Sequence, residues 1–136
     1  MYQLVDGMYE LMPEQRDTKH QCAFVVTGQD IENIVLTALE GGIGYWAMLD
    51  NTTADWDNKP KGLPTSQYAT QLLLERKTLR FFDAEDDIVY WELTLKQLFR
   101  GVNEFINTIH DTIENIDAED ADVIFQYAIF DKVVFS

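Results

Sequence analysis

Cysteine occurs once in this chain of 136 residues, as Cys22, so no disulfide can form within it. A small chain without disulfides fits a reducing compartment, and a cytoplasmic setting is the expectation. Cys22 itself sits in the apolar run CAFVV and reads as an inert core thiol rather than an activated one. No apolar run approaches the length of a membrane span, and the first residues, MYQLVDGMYE, lack the basic-then-apolar order of a secretory signal. Cations are also scarce. Lys and Arg total 10 against 24 Asp and Glu, a formal net charge of −14. Direct nucleic-acid binding needs clustered cations to neutralise phosphates, and only Arg76, Lys77 and Arg80 gather here, so it is not expected. The two histidines, His20 and His110, have no partner at a zinc-binding spacing, and no serine lies in a nucleophile elbow.

What is present is a globular composition: 46% hydrophobic and 12% aromatic residues, enough for one domain with a proper core. YQLV and MYELM flank Asp6-Gly7, a dipeptide favoured in two-residue hairpin turns, and CAFVV reads as a third strand. Between them, Pro13 to Gln21 reads as a loop. Thr27-Gly-Gln-Asp30 is a capping box, in which a threonine hydroxyl and an acid satisfy each other's backbone amides. Behind it Ile31, Ile34, Val35, Ala38 and Leu39 recur at helical spacing, and Gly42, Tyr45, Trp46 and Leu49 extend the stripe. A helix over residues 29–49 is therefore predicted, with a break near Gly41 as the alternative, since each interior glycine costs about 1 kcal/mol.

Asn51 to Pro64 is rich in turn formers and predicts a surface loop. Thr65 or Ser66 then caps a short helix through Tyr68, Ala69, Leu72 and Leu73. TLRFFD and IVYWEL are strand-like and join as a hairpin through Ala84 to Asp87. Thr94 to Gln97 is a second capping box, opening a helix with an apolar face from Leu95 to Ile113. Asp117-Ala-Glu-Asp120 opens the last helix, where acids suit the macrodipole. The helix VIFQYAIFDKVVF is apolar on nearly all sides, which predicts burial in the domain or in a homodimer interface. The order gives a single α+β domain: an antiparallel sheet of three to five strands covered by four helices.

Three glycines, Gly41, Gly42 and Gly44, precede Tyr45-Trp46 within LEGGIGYW. A phosphate-cradling loop would need them between a strand and a helix start, with a lysine nearby. They lie on or beside a helical stripe instead, and close packing against another element is the expectation. Asp50, Asp55 and Asp57 look like a calcium loop, but Lys59, Pro60 and Ser66 occupy positions where an EF-hand needs ligands or glycine. No metal or cofactor is expected, and no catalytic constellation is visible.

Candidate contact residues remain. Trp56, in ADWD, is predicted to be exposed and suited to anchoring a protein partner. Asp83, Glu85, Asp86 and Asp87 mark the hairpin tip. Asp111, Glu114, Asp117, Glu119, Asp120 and Asp122 mark the junction of the last two helices. Such acids either solvate and cap the fold or present a face to a basic protein, in the manner of nucleic-acid mimicry. The aromatic pair Tyr45 and Trp46 suggests a different class, a pocket for a nucleotide or other small ligand.

The segments DIENIVLTALEGGIGYWA, ERKTLRFFDAEDD with YWELTLKQLFRGV, and ADVIFQYAIFDKVVFS resemble a set of small proteins of phages and mobile elements of Gram-positive bacteria. These share a TALEGGI-x-YW motif, a hairpin before a leucine-rich helix, and a QYALF-like end. Residues 1–20 and the loop around Trp56 depart from the pattern. The group has no settled activity, so the resemblance transfers no catalytic or binding residue. It implies a setting, in which small acidic proteins act as inhibitors of host defence, anti-CRISPR proteins among them. The functional expectation is a non-enzymatic binding protein whose partner is a basic protein, such as a nucleic-acid-binding defence effector.

Overall fold

The computed structural model describes residues 2–5, 8–11, 24–108 and 112–136, those up to residue 24 by their backbone alone. The expected turn at Asp6-Gly7, the loop Pro13 to Gln21, Cys22, His20, His110 and Asp111 lie outside the described residues. Strands β1 (Tyr2–Val5), β2 (Met8–Leu11) and β3 (Phe24–Thr27) form an antiparallel sheet in that order, with Val5 opposite Met8. A second antiparallel sheet has the order β4 (Ala47–Leu49), β5 (Leu79–Asp83), β6 (Asp86–Leu93). With helices α1 (Gly28–Thr37), α2 (Thr65–Leu74), α3 (Leu95–Thr108) and α4 (Ala118–Phe130), the chain is an α+β domain of four α-helices and small antiparallel sheets. No helix among the described residues is long and apolar enough to cross a membrane.

Both capping boxes read from the sequence form, and the acids at the head of α4 make a third. Thr27 Oγ1 accepts from the Asp30 amide at 3.0 Å, while Asp30 Oδ2 accepts from the Thr27 amide at 2.9 Å. Thr94 and Gln97 repeat the exchange at the head of α3, and Asp117 and Asp120 at the head of α4. Each satisfies amides that a helix start leaves without partners. Helix α2 is the exception: its cap position is Pro64 and no side chain closes it.

The long first helix does not exist. The α-helix stops at Thr37 and widens into a π turn over Ala38–Gly42, closed by the Ile43 amide on the Ala38 carbonyl at 3.0 Å. Ala47 to Leu49, expected as helix, is instead a strand paired with Phe81 to Asp83. The physical reason is proximity. Position 42 is so close to α4 that a Cβ there would lie 2.9 Å from the Ala118 carbonyl oxygen. Gly42 therefore packs closely, as expected. Gly41 and Gly44 do not, since a Cβ at either would meet nothing within 4 Å.

Helix α4 is the centre of the fold, with Ala121, Ile124, Phe125 and Ala128 all fully buried. Its near-uniform apolarity is answered inside the chain: α3, α1, the π turn and β6 all pack on it. Against β5, Phe125 meets Phe81 edge-on, with centroids 6.0 Å apart and planes at 86°. Against α3, approach is even closer than at Gly42. A Cβ at Gly101 would stand 2.4 Å from the Ile124 carbonyl oxygen and 2.9 Å from the Ala128 amide nitrogen. Arg100 beside it donates to the Ala128 carbonyl at 2.8 Å and pairs with Asp131, closing the end of α4.

These contacts predict opposite effects for two alanine substitutions. Gly101→Ala drives a methyl into the α4 backbone and should destabilise by about 2–4 kcal/mol. Gly41→Ala should be neutral or stabilise by up to about 1 kcal/mol. Urea denaturation of both variants is the check, and equal midpoints would remove the close helix contact from the account.

Candidate functional site

Two regions gather the residues singled out by the sequence. The first is a polar knot at the foot of α4. Asp122 sits one turn into the helix with 9% of its surface exposed. Its Oδ1 accepts from the Trp46 indole at 2.8 Å and from Gln126 Nε2 at 2.9 Å, and its Oδ2 accepts from the Tyr45 hydroxyl. Gln126, fully buried one turn later, turns its amide to the chain end. Its Oε1 accepts from the Val134 and Phe135 amides at 2.7 and 2.8 Å, and its Nε2 donates to the Phe135 carbonyl at 3.0 Å. A groove of about 490 Å³ bounded by Gly41, Tyr45, Glu119, Asp122 and Phe135 lies beside the knot.

This geometry revises two expectations. Asp122 does not belong to a solvent-facing acid cluster, because its oxygens are filled by internal donors. Trp46 does not offer a stacking surface, being 2% exposed and packed in an aromatic cluster. Phe135 stacks on it at 5.2 Å with planes 8° apart, while Trp91 and Phe130 lean on it at 5.6 and 5.5 Å. Only Tyr45, half exposed, borders the groove, beside the carboxylates of Glu119 and Asp122, which repel phosphate. Partial burial, and then the bond and charge of Asp122, push the Tyr45 phenol up to about 12.

Trp56 is also relocated. It is 8% exposed, in a single 3-10 turn, with its ring edge-on to Tyr68 at 5.1 Å. The Tyr68 hydroxyl donates to the Asp55 carbonyl at 2.7 Å and pins the loop onto α2. The loop brings its own covering helix, so Trp56 is core and not a surface anchor. Asp117 and Asp120 are occupied as caps, whereas Glu114 and Glu119 are exposed.

The second region is the β5–β6 hairpin. Asp83 and Asp86 each accept a backbone amide two residues on, from Glu85 and Ile88, which shapes the turn. Glu85, Asp86 and Asp87 remain exposed. Behind this acidic tip lies a sheet face that sequence reasoning missed. Met48, Phe82 and Tyr90 stand opposite one another across the three strands, and Ile88 follows in a bulge of β6, Asp87 to Val89, that has no partner on β5. Ile88 is 84% exposed, Met48 60% and Tyr90 46%. Arg80 sits over Tyr90, its guanidinium carbon 3.7 Å from the ring centroid, and its Nε is 3.7 Å from the buried Asp50 carboxylate. The opposite face carries Leu79, Phe81, Trp91 and Leu93 into the core. Because both faces of β6 are apolar, alternation of polarity could not reveal which one is uncovered.

Among the described residues, no group of three or more His, Cys, Asp or Glu side chains is placed to hold a metal ion. Comparison of the chain with protein-family models, curated proteins and solved structures found no match.

The knot makes a graded stability prediction. Asp122→Ala orphans the buried indole N–H and one Gln126 donor, and should cost about 2–4 kcal/mol. Tyr45→Phe removes one bond from a half-exposed ring and should cost about 1 kcal/mol. Equal losses on urea denaturation would refute Asp122 as the hub. The phenol adds a pH signature. A pKa raised from 10.0 to about 12 gives stability that is fully present below pH 10 and lost as pH rises towards 12. Ultraviolet titration should show one tyrosine ionising about two units late in the wild type and none doing so for this reason in Tyr45→Phe.

Proposed function

We propose that this chain is a non-enzymatic acidic binding protein that acts by protein–protein contact, taking a basic partner on the outer face of β4–β6 and the acidic hairpin tip. One observation carries the reading. In a chain of net charge −14, Met48 and Tyr90 stand exposed on one sheet face, and Ile88 is exposed in the bulged stretch beside them, with the exposed carboxylates of Asp86, Asp87 and Glu92 along the same strand. An apolar centre with a polar rim is the common anatomy of a recognition surface, and the carboxylates select and steer a cationic partner. Contact of this kind is favoured over nucleic-acid mimicry by α4, whose Asp117, Asp120 and Asp122 are engaged internally.

The resemblance to small phage and mobile-element proteins supplies the biological setting within this proposal. The partner is a bacterial defence effector with a nucleic-acid-binding surface, and the protein inhibits it by covering that surface, as anti-CRISPR proteins do. The same basic surface that attracts phosphate attracts the hairpin tip.

The test is affinity capture from nuclease-treated bacterial lysate at two salt concentrations, read by mass spectrometry, with two folded variants beside the wild type. Reversal of the tip (Glu85→Lys, Asp86→Lys, Asp87→Lys) should reduce capture of the salt-sensitive partner by about tenfold or more. Glu119→Lys, on α4, should leave it within about twofold. Full capture by the tip variant would overturn the placement of the surface.

A further inference from the structure

We infer that the groove between the π turn, β4 and the head of α2 binds a small apolar monocarboxylate, with its carboxylate on the first amides of α2 and its tail along Leu39, Ile43 and Leu49. The site is separate from the acidic hairpin tip, and the inference goes beyond the basic-partner reading without resting on it. The groove measures about 620 Å³, an ordinary size for a small-molecule pocket, and Leu39, Ile43, Ala47, Leu49 and Pro64 give it apolar walls. Ile43 and Ala47 belong to the buried core, which fixes those walls in place.

One end of the groove is polar and short of partners. Helix α2 starts without a side-chain cap, because Pro64 holds the cap position. The first of its amides to find an acceptor is that of Tyr68, on the Pro64 carbonyl at 3.1 Å. The amides of Thr65, Ser66 and Gln67 come before it and bond to no described group. Ser66 is an independent sign. It heads the buried face of α2, in line with Ala69, Thr70 and Leu73, and is itself 6% exposed. Its carbonyl accepts from the Thr70 hydroxyl at 2.9 Å, but its own hydroxyl bonds to no described group. A hydroxyl withdrawn from water in this way is costly unless something else partners it. Ser66 lines the groove, so that partner is a ligand within it.

Charge and shape set the ligand. The unfilled amides and the Ser66 hydroxyl are donors at the positive end of the helix dipole, so the polar end of the ligand is an anionic acceptor. No cationic side chain lines the groove, which suits the single charge of a carboxylate better than a phosphate. Lys59 and Lys61, in the loop leading into Pro64, offset part of the chain's negative charge there. Glu40 borders the groove but is exposed, and stays at its rim. The apolar walls take a tail of about eight carbons.

The probe is octanoate, kept below micelle formation, titrated into the isotope-labelled full chain and followed by amide and methyl NMR shifts. Acetate carries the head alone and octanol the tail alone. Octanoate should saturate, shifting Thr65, Ser66 and Gln67 together with Leu39, Ile43 and Leu49, and should bind about tenfold or more tighter than either control. Pro64→Asp places a carboxylate of the chain's own at the cap, where it takes the amides. That variant should keep or raise the urea midpoint while octanoate binding falls by about tenfold or more. Ser66→Ala should weaken binding by about threefold or more. Shifts that do not saturate, equal binding of octanol, or full octanoate binding by folded Pro64→Asp and Ser66→Ala would each overturn the site. Capture of the basic partner is a separate readout, so the two proposals fail independently.

Discussion

The carboxylate of Asp122 is where the parts of this fold are tied together. It is one of few acids taken out of water, which is costly unless each oxygen finds donors. The donors come from Tyr45 and Trp46 just after the π turn, and from Gln126 one turn along α4. Gln126 in turn holds Val134 and Phe135, so the carboxylate joins the π turn, the central helix and the chain's last residues. The approach that permits this is Gly42 against Ala118, where no side chain would fit. Remove the glycine and the acid is too far from its donors; remove the acid and the close approach buries polar atoms without partners.

Trp46 then carries the order outward. Its indole binds Asp122, its ring is the base of the aromatic cluster with Phe135, Trp91 and Phe130, and its carbonyl accepts the Ala84 amide in the turn of the hairpin. The exposed face of β4–β6 is thus mounted on the best-buried part of the molecule. A recognition surface held in this way needs little rearrangement on binding, which keeps the ordering cost of association low.

Much of this was legible in the amino-acid order, and where it was not the reasons are physical. Capping boxes are local: Thr27–Asp30 and Thr94–Gln97 each form within a single turn, so spacing alone found them, while the acids from Asp117 to Asp120 were legible as a helix start though not as a reciprocal cap. The β5–β6 hairpin and the central, apolar α4 were legible because strand-forming runs and an all-round apolar helix admit few placements. The π turn was not, because a helical stripe through Gly42, Tyr45 and Trp46 continues the periodicity of α1 by coincidence, and only the contact with α4 breaks it. Trp56 misled because burial by Tyr68 comes from a residue beyond an intervening loop, and no local pattern records it. Asp122 misled because its charge counts with its acidic neighbours in sequence while its partners lie more than seventy positions away. The exposed stretch of β6 had no signal, since Ile88, Val89 and Tyr90 look the same in sequence as the half-buried Trp91, and nothing local records the bulge that exposes them.

The π turn also sets the phase of everything that follows it. A helix advances about 100° per residue, and a π turn is an α turn holding one residue more than the pitch requires. Ala38–Gly42 therefore acts as a phase offset between α1 and all that follows. Losing one residue there would restore an ordinary helix and rotate Tyr45 and Trp46 by roughly a quarter-turn away from α4. The length of this segment is therefore as tightly fixed by the packing as the glycine at position 42.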